Sequence, residues 1–327
     1  MEKRMRVLVF GAGAIGSVVG GMLARGGHEV VLIGRRPHMS AIREAGLTIS
    51  GIWGNHTVRN LTCYTSVEEM SAREGSKPFR LLLVTVKSYD TRAAARQLKP
   101  LARRGTFVVS LQNGYGNVET LEETIREELV LGGRVIFGAE LVERGCVNVT
   151  VYAEEVLIGS RLGLVAPEDL LEITEAFTSA GIPTKPTQTI SQHLWGKVLY
   201  NAALNPLGTI LRRSYGELAS NVYTREVMDC VVAEIFAVTR ASGIEMLWES
   251  PEEYLEVFYR KLVPPTAAHY PSMMRDIESG KRTEIDALNG AVVRLAHGLE
   301  IIAPVNLALT NQIRFLEDPT GEHPWIT

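Results

Sequence analysis

A line of polar side chains on an otherwise apolar segment is the clearest indication of chemistry in this sequence. Lys197, Asn201 and Asn205 are spaced four residues apart, so on an α-helix they share one face. The residues between them are mainly apolar, which predicts a helix that is buried on most sides. A buried ammonium or amide is costly unless it is hydrogen-bonded, and a ligand cleft would supply the partners. An ordinary solvent-facing stripe, or amides that bond to the local backbone, would show the same spacing.

A glycine-rich turn near the start of the chain indicates a phosphate-binding site. The turn reads Gly11-Ala12-Gly13-Ala14-Ile15-Gly16, between an apolar run at residues 6–10 and a small-residue helical stretch at 17–25. A second apolar run at 28–33 completes a strand, turn, helix and strand, the size of a βαβ unit. In such a unit glycine permits the tight turn, the approach of a pyrophosphate and the close packing of helix on strand. We therefore predict a dinucleotide site; the alternative is a glycine-rich turn without a ligand.

The end of the second predicted strand favours a phosphorylated nucleotide. An NAD site commonly has an acidic residue there, which binds the ribose 2′-hydroxyl. This sequence instead has Gly34-Arg35-Arg36-Pro37, with no acid. A guanidinium is a planar donor that suits a phosphate. We predict NADP(H) as the cofactor and Arg35 as the first candidate for its 2′-phosphate; the alternative is a pair of solvated arginines on a loop.

Two loops that follow buried strands carry further candidates. Lys87 comes after the apolar run at 81–86, and Asn113 comes after the run at 106–110. Ligands of open α/β sheets bind outside the carboxyl ends of the strands. We therefore expect Lys87 and Asn113 to meet a cofactor or substrate, although a surface lysine and an ordinary Asn-Gly turn would look the same.

A third group of candidates lies near the C-terminus. Ser272 follows a proline, and Glu284 follows Thr283. Both positions suit the start of a helix, where a serine is usually a cap and a glutamate usually complements the helix dipole. The residues alone therefore favour a structural role for this group.

The pattern of elements changes near residue 188. Before it, short apolar strands alternate with helices; the predicted strands are at 6–10, 28–33, 81–86, 106–110, 130–137 and 147–158, with an irregular stretch at 47–63, and the predicted helices are at 17–25, 90–102, 118–128 and 167–180. After it come long amphipathic helices at 190–204, 218–242, 251–262, 272–279, 284–297 and 304–317. We predict an α/β fold, a Rossmann-type doubly wound sheet followed by an all-helical C-terminal domain. The expected domains are an NADP-binding domain at 1–188 and a helical substrate-binding and catalytic domain at 189–327.

Composition excludes several other classes of protein. The 327 residues are 46% hydrophobic and 22% charged, which suits two globular domains. A net charge of −3 argues against nucleic-acid binding through bulk charge, and no apolar run reaches the ~18 residues that cross a membrane. The three cysteines are far apart and the seven histidines are scattered, so we expect reduced thiols, a cytoplasmic location and no metal site. The helical half could form a homodimer interface.

In order, these segments resemble the ketopantoate reductase (2-dehydropantoate 2-reductase) family over nearly the whole chain. The resemblance is carried by Gly11 to Gly16, Val86-Lys87, Gln112-Asn113-Gly114, Trp195-Gly196-Lys197, Asn201, Asn205-Pro206-Leu207, Ser272-Met273 and Thr283-Glu284-Ile285-Asp286. It implies a Rossmann domain followed by a helical domain, and the NADPH-dependent reduction of 2-dehydropantoate by hydride transfer to its C2 carbonyl.

The resemblance also implies roles for individual residues. Lys197 is expected to be the general acid, and Glu284 the acid that orients it or touches the cofactor ribose. Asn201, Asn205 and Ser272 are expected to bind the substrate. Lys87 and Asn113 are expected at the nicotinamide end, where Asn113 also meets the substrate.

Two departures from the family pattern leave the substrate open. Tyr215 and His269 stand where the family often has asparagine. One alternative is therefore an NADP-dependent reductase of another small 2-oxo or 3-oxo acid. A second is a member of the broader β-hydroxyacid dehydrogenase class, which has a similarly spaced lysine and asparagine. A third alternative, a non-catalytic NADPH-binding module, is disfavoured by the intact Lys197, Asn201 and Glu284.

Overall fold

The structure, a computed structural model, describes residues 4–75 and 77–318. Its strands in chain order are β1 (Arg6–Phe10), β2 (Glu29–Ile33), β3 (Leu47–Gly51), β4 (His56–Val58), β5 (Leu61–Tyr64), β6 (Leu81–Val84), β7 (Phe107–Ser110), β8 (Val130–Arg134), β9 (Phe137–Glu143), β10 (Cys146–Tyr152), β11 (Val156–Gly159) and β12 (Thr184–Pro186).

The α-helices alternate with strands at first and then follow one another. They are α1 (Ala14–Arg25), α2 (Arg36–Ala45), α3 (Val67–Glu74), α4 (Thr91–Leu98), α5 (Asn117–Glu122), α6 (Pro167–Ser179), α7 (Ile190–Leu211), α8 (Tyr215–Ser220), α9 (Val222–Ala241), α10 (Pro251–Val257), α11 (Ser272–Glu278), α12 (Asn289–Gly298) and α13 (Pro304–Glu317). Short 3₁₀ turns span Ser88–Asp90, Glu127–Leu129, Pro264–Thr266 and Ile285–Ala287, and a π-helical turn spans Phe258–Leu262.

The chain forms two compact units. The first comprises the residues up to Gln112 together with Asn117–Ile190, and the second comprises Asn113–Gly116 together with the residues from Ser191 onward. The short segment Asn113–Gly116 therefore packs with the helical unit although its neighbours in sequence on both sides belong to the first unit.

The first unit is built on an eight-stranded sheet. The strand order is β12-β11-β8-β7-β6-β1-β2-β5, and β11 runs antiparallel to β8 while the other pairs are parallel. From β5 to β8 this is the strand order of a dinucleotide-binding fold, with the order reversing at β1. All four residues of β6 and of β7 are buried, as expected for strands covered on both faces. The predicted α/β fold class, with its helical C-terminal half, is confirmed.

A second, four-stranded sheet in the order β4-β3-β10-β9 was not predicted. The predicted strand at 147–158 is in fact two strands, β10 and β11, that belong to different sheets. Helix α1 lies between the two sheets, which explains its small residues. A Cβ on Gly20 would lie 2.6 Å from Leu32 of the large sheet, and one on Gly21 would lie 2.7 Å from Ile49 of the small sheet.

The second unit is helical within the described residues. Its core is formed by α7, α9 and the segments that pack on them, with Leu199, Val231, Ile235 and Phe258 among its buried side chains. Two boundaries differ from the prediction. Helix α7 continues through Pro206 to Leu211, and the helix predicted at 218–242 is interrupted at Asn221, whose side chain caps α9.

Candidate functional site

The glycine turn is shaped by two glycines that the protein itself requires. Gly11 has a φ of +109°, and a Cβ there would lie 2.6 Å from the backbone nitrogen of Val86. A Cβ on Gly16 would lie 2.5 Å from both the Gly11 carbonyl oxygen and the Thr85 hydroxyl. These contacts show that the turn and helix α1 pack against the end of β6 at a distance that only glycine allows.

Gly13 differs, because nothing in the structure requires it to be glycine. Its φ of −84° is open to any residue, and a Cβ there would find no atom nearer than the Gly11 carbonyl, at 3.9 Å. It is also exposed, whereas Ala12 is buried and Ala14 and Ile15 are partly buried. Open space above an exposed backbone is what a bound pyrophosphate would need, so this position fits the predicted dinucleotide.

The donors for such a phosphate lie in the first turn of α1. The backbone N–H groups of Gly11 and Ala12 donate to the Ile33 carbonyl, and that of Gly13 donates to Gly11. Gly13 cannot cap the helix with a side chain, and the first turn of α1 has no acidic residue. The N–H groups at 14, 15 and 16 are therefore the ones that a helix start offers to an anion.

The predicted 2′-phosphate ligands are at the start of α2. Arg35 is the N-cap residue and Arg36 is the first helical residue, and both are exposed. Buried His38 anchors the start of this helix. Its Nε2 is hydrogen-bonded to the Ser17 hydroxyl at 2.9 Å, and its Nδ1 accepts from the Gly145 N–H at 2.9 Å. Burial lowers the pKa of His38, which favours the neutral imidazole that an accepting Nδ1 requires.

An open pocket of about 430 Å³ adjoins this helix. It is lined by Arg36, Ser40, Arg43, Thr65 and Glu69. The pocket is polar, but its Arg43 is bonded to Glu69 at 3.0 Å and to the Cys63 carbonyl, so Arg36 is the lining cation suited to a phosphate. Arg35, the first candidate from the sequence, does not line it, whereas Arg36 does.

The loops after β6 and β7 are joined by a side chain that the sequence reasoning did not assign. The buried Gln112 donates from Nε2 to the Val86 carbonyl at 2.9 Å and to the Thr91 hydroxyl at 2.7 Å. Its Oε1 accepts from the Ser110 hydroxyl at 3.1 Å. Gln112 thereby fixes the backbone immediately before the partly buried Lys87. Its place in the motif next to Asn113 was the available signal.

In the helical unit, three segments that carry predicted site residues are in contact. They are the Asn113–Gly116 segment, helix α7 and the turn Ile285–Ala287. The Tyr115 ring packs on that of Trp195, with centroids 4.6 Å apart, and the Tyr115 N–H donates to the Ala287 carbonyl at 2.8 Å. A Cβ on Gly114 would lie 2.6 Å from Ala287, so the two backbones nearly touch. Asn113, Lys197 and Glu284 each lie within three residues of these contacts. The structure thus brings their backbone segments together in one unit.

The polar face of α7 is partly accessible. Lys197 and Asn201 are partly buried, and Asn205 is 6% exposed. Ala202, Ala203 and Leu204 between them are fully buried. The helix is therefore buried on most sides, as predicted, while Lys197 and Asn201 retain access.

Pro206 lies within α7, directly after Asn205, and would normally break the helix. A proline has no N–H, so the carbonyl of Ala202, four residues earlier, has no helical donor. The Nδ2 of Asn289 supplies one at 3.1 Å and also donates to Asn306 Oδ1 at 3.0 Å. Asn289 was not singled out from the sequence, because nothing local connects it to Pro206.

Ser272 is positioned against the same helix. Pro271, the residue before it, packs on Gly208, where a Cβ would lie 2.7 Å from the proline ring. Gly208 is three residues after Asn205 and so lies on the same side of α7. Ser272 is exposed and is the first residue of α11, whose N-cap is Pro271, so the interpretation of Ser272 as the helix cap is wrong.

The loop that carries Glu284 is fixed by neighbouring charges. Asp286 binds Arg314 at 2.7 Å and Arg282 at 2.9 Å. Burial disfavours the charged carboxylate, but the hydrogen bonds from the two arginines outweigh this and hold the pKa of Asp286 below its usual value. The Thr283 hydroxyl accepts from the Ile285 N–H at 3.2 Å, although the N-cap residue of the turn Ile285–Ala287 is Glu284.

Comparison with known proteins decides the family. The family model described as ketopantoate reductase PanE/ApbA matches residues 7–162, and the one for its C-terminal part matches residues 189–317. The chain belongs to the ketopantoate reductase PanE/ApbA family. The resemblance read from the motifs is therefore confirmed.

Individual relatives match this chain over nearly its full length. The chain is 41% identical to the 2-dehydropantoate 2-reductase of Aquifex aeolicus, over 96% of this chain and 97% of that one. It is similar to the crystal structure of a PanE/ApbA family ketopantoate reductase from Ralstonia eutropha JMP134, with a TM-score of 0.84 and 33% identity, covering 96% and 99% of the two chains. It is also similar to the structure of D-mandelate dehydrogenase with NADH and anilino(oxo)acetate, with a TM-score of 0.85, 25% identity and the same coverage.

Residues 4–75 and 77–318 contain no group of three or more His, Cys, Asp or Glu side chains that could hold a metal ion. In the same residues no helix is both long enough and apolar enough to span a membrane.

Proposed function

We propose that this chain reduces 2-dehydropantoate to pantoate, with hydride transfer from NADPH to the C2 carbonyl and Lys197 as the proton donor. The observation that carries the proposal is the polar face of α7, where Lys197 and Asn201 are partly accessible and Asn205 is buried beside them, on a helix whose apolar residues at 198, 199 and 202–204 are buried. The family to which the chain belongs and this group of polar side chains both indicate the same reaction.

The glycine turn fits the cofactor, and NADPH bound there supplies the hydride. The first-turn N–H groups of α1 would hold its pyrophosphate above Gly13. Arg35, with Arg36 beside it, would bind the 2′-phosphate. Lys87 and Asn113 would lie at the nicotinamide end, since each follows the carboxyl end of a parallel strand.

Lys197 has two tasks in this mechanism. Its ammonium stabilises the negative charge that develops on the carbonyl oxygen, and it then transfers a proton to that oxygen. Glu284 is suited to orient the lysine or to bind the cofactor ribose, because its segment is docked against the Asn113–Gly116 segment.

The substrate would be held by the remaining polar residues of the helical unit. Asn201 and Asn205 offer amides from α7, and Ser272 offers a hydroxyl from the start of α11. Amide and hydroxyl donors suit the carboxylate of a 2-oxo acid, and they hold it without requiring a second cation.

Replacing Lys197 tests the mechanism. We expect Lys197→Ala to lower kcat/KM for 2-dehydropantoate by ~10²–10⁴-fold, as the loss of a general acid usually does. Lys261→Ala is the matched control, since Lys261 is an exposed lysine of the same unit. A change of less than threefold in Lys197→Ala, measured by the loss of NADPH absorbance, would remove Lys197 from this role.

A second candidate is the reduction of another small 2-oxo acid on the same fold. Two observations favour it: Tyr215 and His269 stand where the family often has asparagine, and D-mandelate dehydrogenase is a structural neighbour. A panel of 2-oxo acids with aliphatic and aromatic side chains distinguishes the two. Turnover that is fastest by orders of magnitude on 2-dehydropantoate supports the first proposal, and a preference for another acid supports the second.

We also propose a cytoplasmic location and a homodimer. Cys63, Cys146 and Cys230 are all free thiols in the structure, which suits a reducing compartment. The surface of α12 and α13 and the turn between them exposes Leu299, Ile302, Leu307 and Phe315, which suits an interface between copies. Light scattering of the purified protein tests the dimer, and fractionation of cells tests the location.

A further inference from the structure

The residue that replaces a family asparagine, Tyr215, is bonded to a proposed substrate ligand. Its hydroxyl donates to Asn205 Oδ1 at 2.6 Å. Tyr215 is 4% exposed and Asn205 is 6% exposed, so the bond lies beneath the surface of the helical unit. Burial raises the pKa of Tyr215, so its hydroxyl stays protonated and acts as the donor.

This bond determines which way the Asn205 amide faces. If the amide were turned around, Nδ2 would donate to the tyrosine, and the buried hydroxyl proton would need another acceptor. Within the described residues, the structure gives that hydroxyl one hydrogen-bond partner, Asn205 Oδ1. A buried donor without an acceptor is costly, so the amide is held with Oδ1 toward the tyrosine.

The opposite end of the amide is the end available to a ligand. In residues 4–75 and 77–318, Asn205 Nδ2 donates to no side chain or backbone carbonyl, and it does not appear among the fully buried atoms that lack a partner. It therefore keeps some access to solvent. An amide Nδ2 has two N–H donors and no acceptor.

Tyr215 is itself held rigidly, so it can fix the amide. Its ring packs edge-on against Tyr200 and His269, with centroids 5.8 and 5.3 Å apart. Its backbone N–H donates to the His269 carbonyl at 3.0 Å. The next residue, Gly216, donates to the Ala267 carbonyl at 2.8 Å, at a separation that leaves no room for a Cβ.

We propose that Tyr215 is a positioning residue, which makes Asn205 a donor-only ligand for an acceptor oxygen of the substrate. The inference rests on the proposed function. In a 2-oxo acid the carboxylate and ketone oxygens only accept hydrogen bonds, so both suit Nδ2, whereas the side-chain hydroxyl of 2-dehydropantoate is not needed for this contact. Asn205 then recognises what every 2-oxo acid shares, and tolerates a change in the side chain.

The test compares two substrates that differ in one hydroxyl. They are 2-dehydropantoate and 3,3-dimethyl-2-oxobutanoate, in which a methyl replaces the hydroxymethyl group. In Tyr215→Phe the ring remains but the amide is released. We expect KM to rise by roughly three- to tenfold for both acids, with kcat changed by less than twofold, because a ground-state contact common to both is weakened.

Tyr254→Phe is the matched control. Tyr254 is also a fully buried tyrosine of this unit, but its hydroxyl has no hydrogen-bond partner among the described residues. We expect Tyr254→Phe to leave both KM values unchanged and not to lower the Tm, whereas Tyr215→Phe lowers the Tm.

A second variant tests the polarity of the contact. Asn205→Asp keeps the side-chain shape and can still accept from Tyr215, but it turns an acceptor toward the substrate. We expect it to raise KM for both acids more than Asn205→Ala does, because two acceptor oxygens repel.

The outcomes separate the inference from the proposed function. If the wild-type protein reduces neither acid, the proposed function fails and the inference fails with it. If it reduces them, the inference alone is overturned when Tyr215→Phe changes neither KM, when it raises KM for 2-dehydropantoate only, or when Asn205→Ala is as damaging as Asn205→Asp.

Discussion

Gly13→Ala is expected to separate ligand binding from folding at the glycine turn. The backbone at Gly13 already has a φ that alanine adopts, and the added methyl would meet no protein atom nearer than 3.9 Å. Restricting the unfolded chain stabilises the protein by ~0.4–1 kcal/mol, and an alanine at an N-cap costs a similar amount. The free energy of unfolding should therefore change by less than about 1 kcal/mol.

The same methyl would occupy the space that the pyrophosphate needs. The phosphate would have to move away from the first-turn N–H groups, weakening at least one charge-assisted hydrogen bond of ~1.5–3 kcal/mol. This corresponds to a rise of roughly ten- to a hundredfold in the Kd for NADPH. Titration of the nucleotide fluorescence measures this Kd, and urea unfolding without nucleotide measures stability.

Gly16→Ala is the contrasting variant. Its methyl would lie 2.5 Å from the Gly11 carbonyl and the Thr85 hydroxyl, so the backbone must shift. Overpacking of this kind costs ~1–3 kcal/mol of unfolding free energy. The reasoning is refuted if Gly13→Ala binds NADPH within twofold of the wild type, or if it loses as much stability as Gly16→Ala.

Three further outcomes are expected. Arg35→Ala should raise the Kd for NADPH about tenfold and leave that for NADH nearly unchanged, as measured by calorimetry; a similar loss for both nucleotides would contradict its assignment to the 2′-phosphate. Asn289→Ala should lower the free energy of unfolding by ~1–3 kcal/mol, because the Ala202 carbonyl loses its donor. The loss should be smaller in a chain that also carries Pro206→Ala, since the alanine N–H at 206 can bond that carbonyl; additive effects of the two substitutions in urea unfolding would argue against this coupling. Asp286→Asn should lower the free energy of unfolding by about 1 kcal/mol at pH 7. Because the pKa of Asp286 is lowered in the folded chain, the wild-type advantage is present above an unfolded pKa of ~3.9 and is lost as the pH falls through the folded value, so a difference that does not shrink as the pH falls below that unfolded pKa would count against the ion pairs as its source.

The parts of the fold that the sequence predicted are those set by local chemistry. The β1–turn–α1–β2 unit followed from three glycines and two apolar runs, and β1 has the predicted bounds Arg6–Phe10. Helix α13 likewise spans the predicted Pro304–Glu317. In these segments the hydrophobic period and the turn residues all favour one conformation.

The features that the sequence did not predict depend on contacts between residues that are far apart in the chain. A proline usually ends a helix, yet α7 continues through Pro206. It does so because Asn289, 87 residues after Ala202, supplies the donor that the Ala202 carbonyl would otherwise lack. The second sheet pairs β3 with β10, about 100 residues apart, and neither strand shows this pairing in its own sequence. At the candidate site, the sequence predicted the polar face of α7, whereas the supporting Gln112 and Tyr215 act through bonds that only the fold creates.

The segment Asn113–Gly116 limits how the two halves of this enzyme can be exchanged between relatives. The chain passes from one compact unit to the other three times, at 112/113, 116/117 and 190/191. A chimera joined once, at residue 190, would receive a foreign surface around positions 195 and 287 while retaining its own Tyr115. Successful recombinants should therefore carry these four residues from the same parent as the helices, so that a graft needs two pieces of gene and not one.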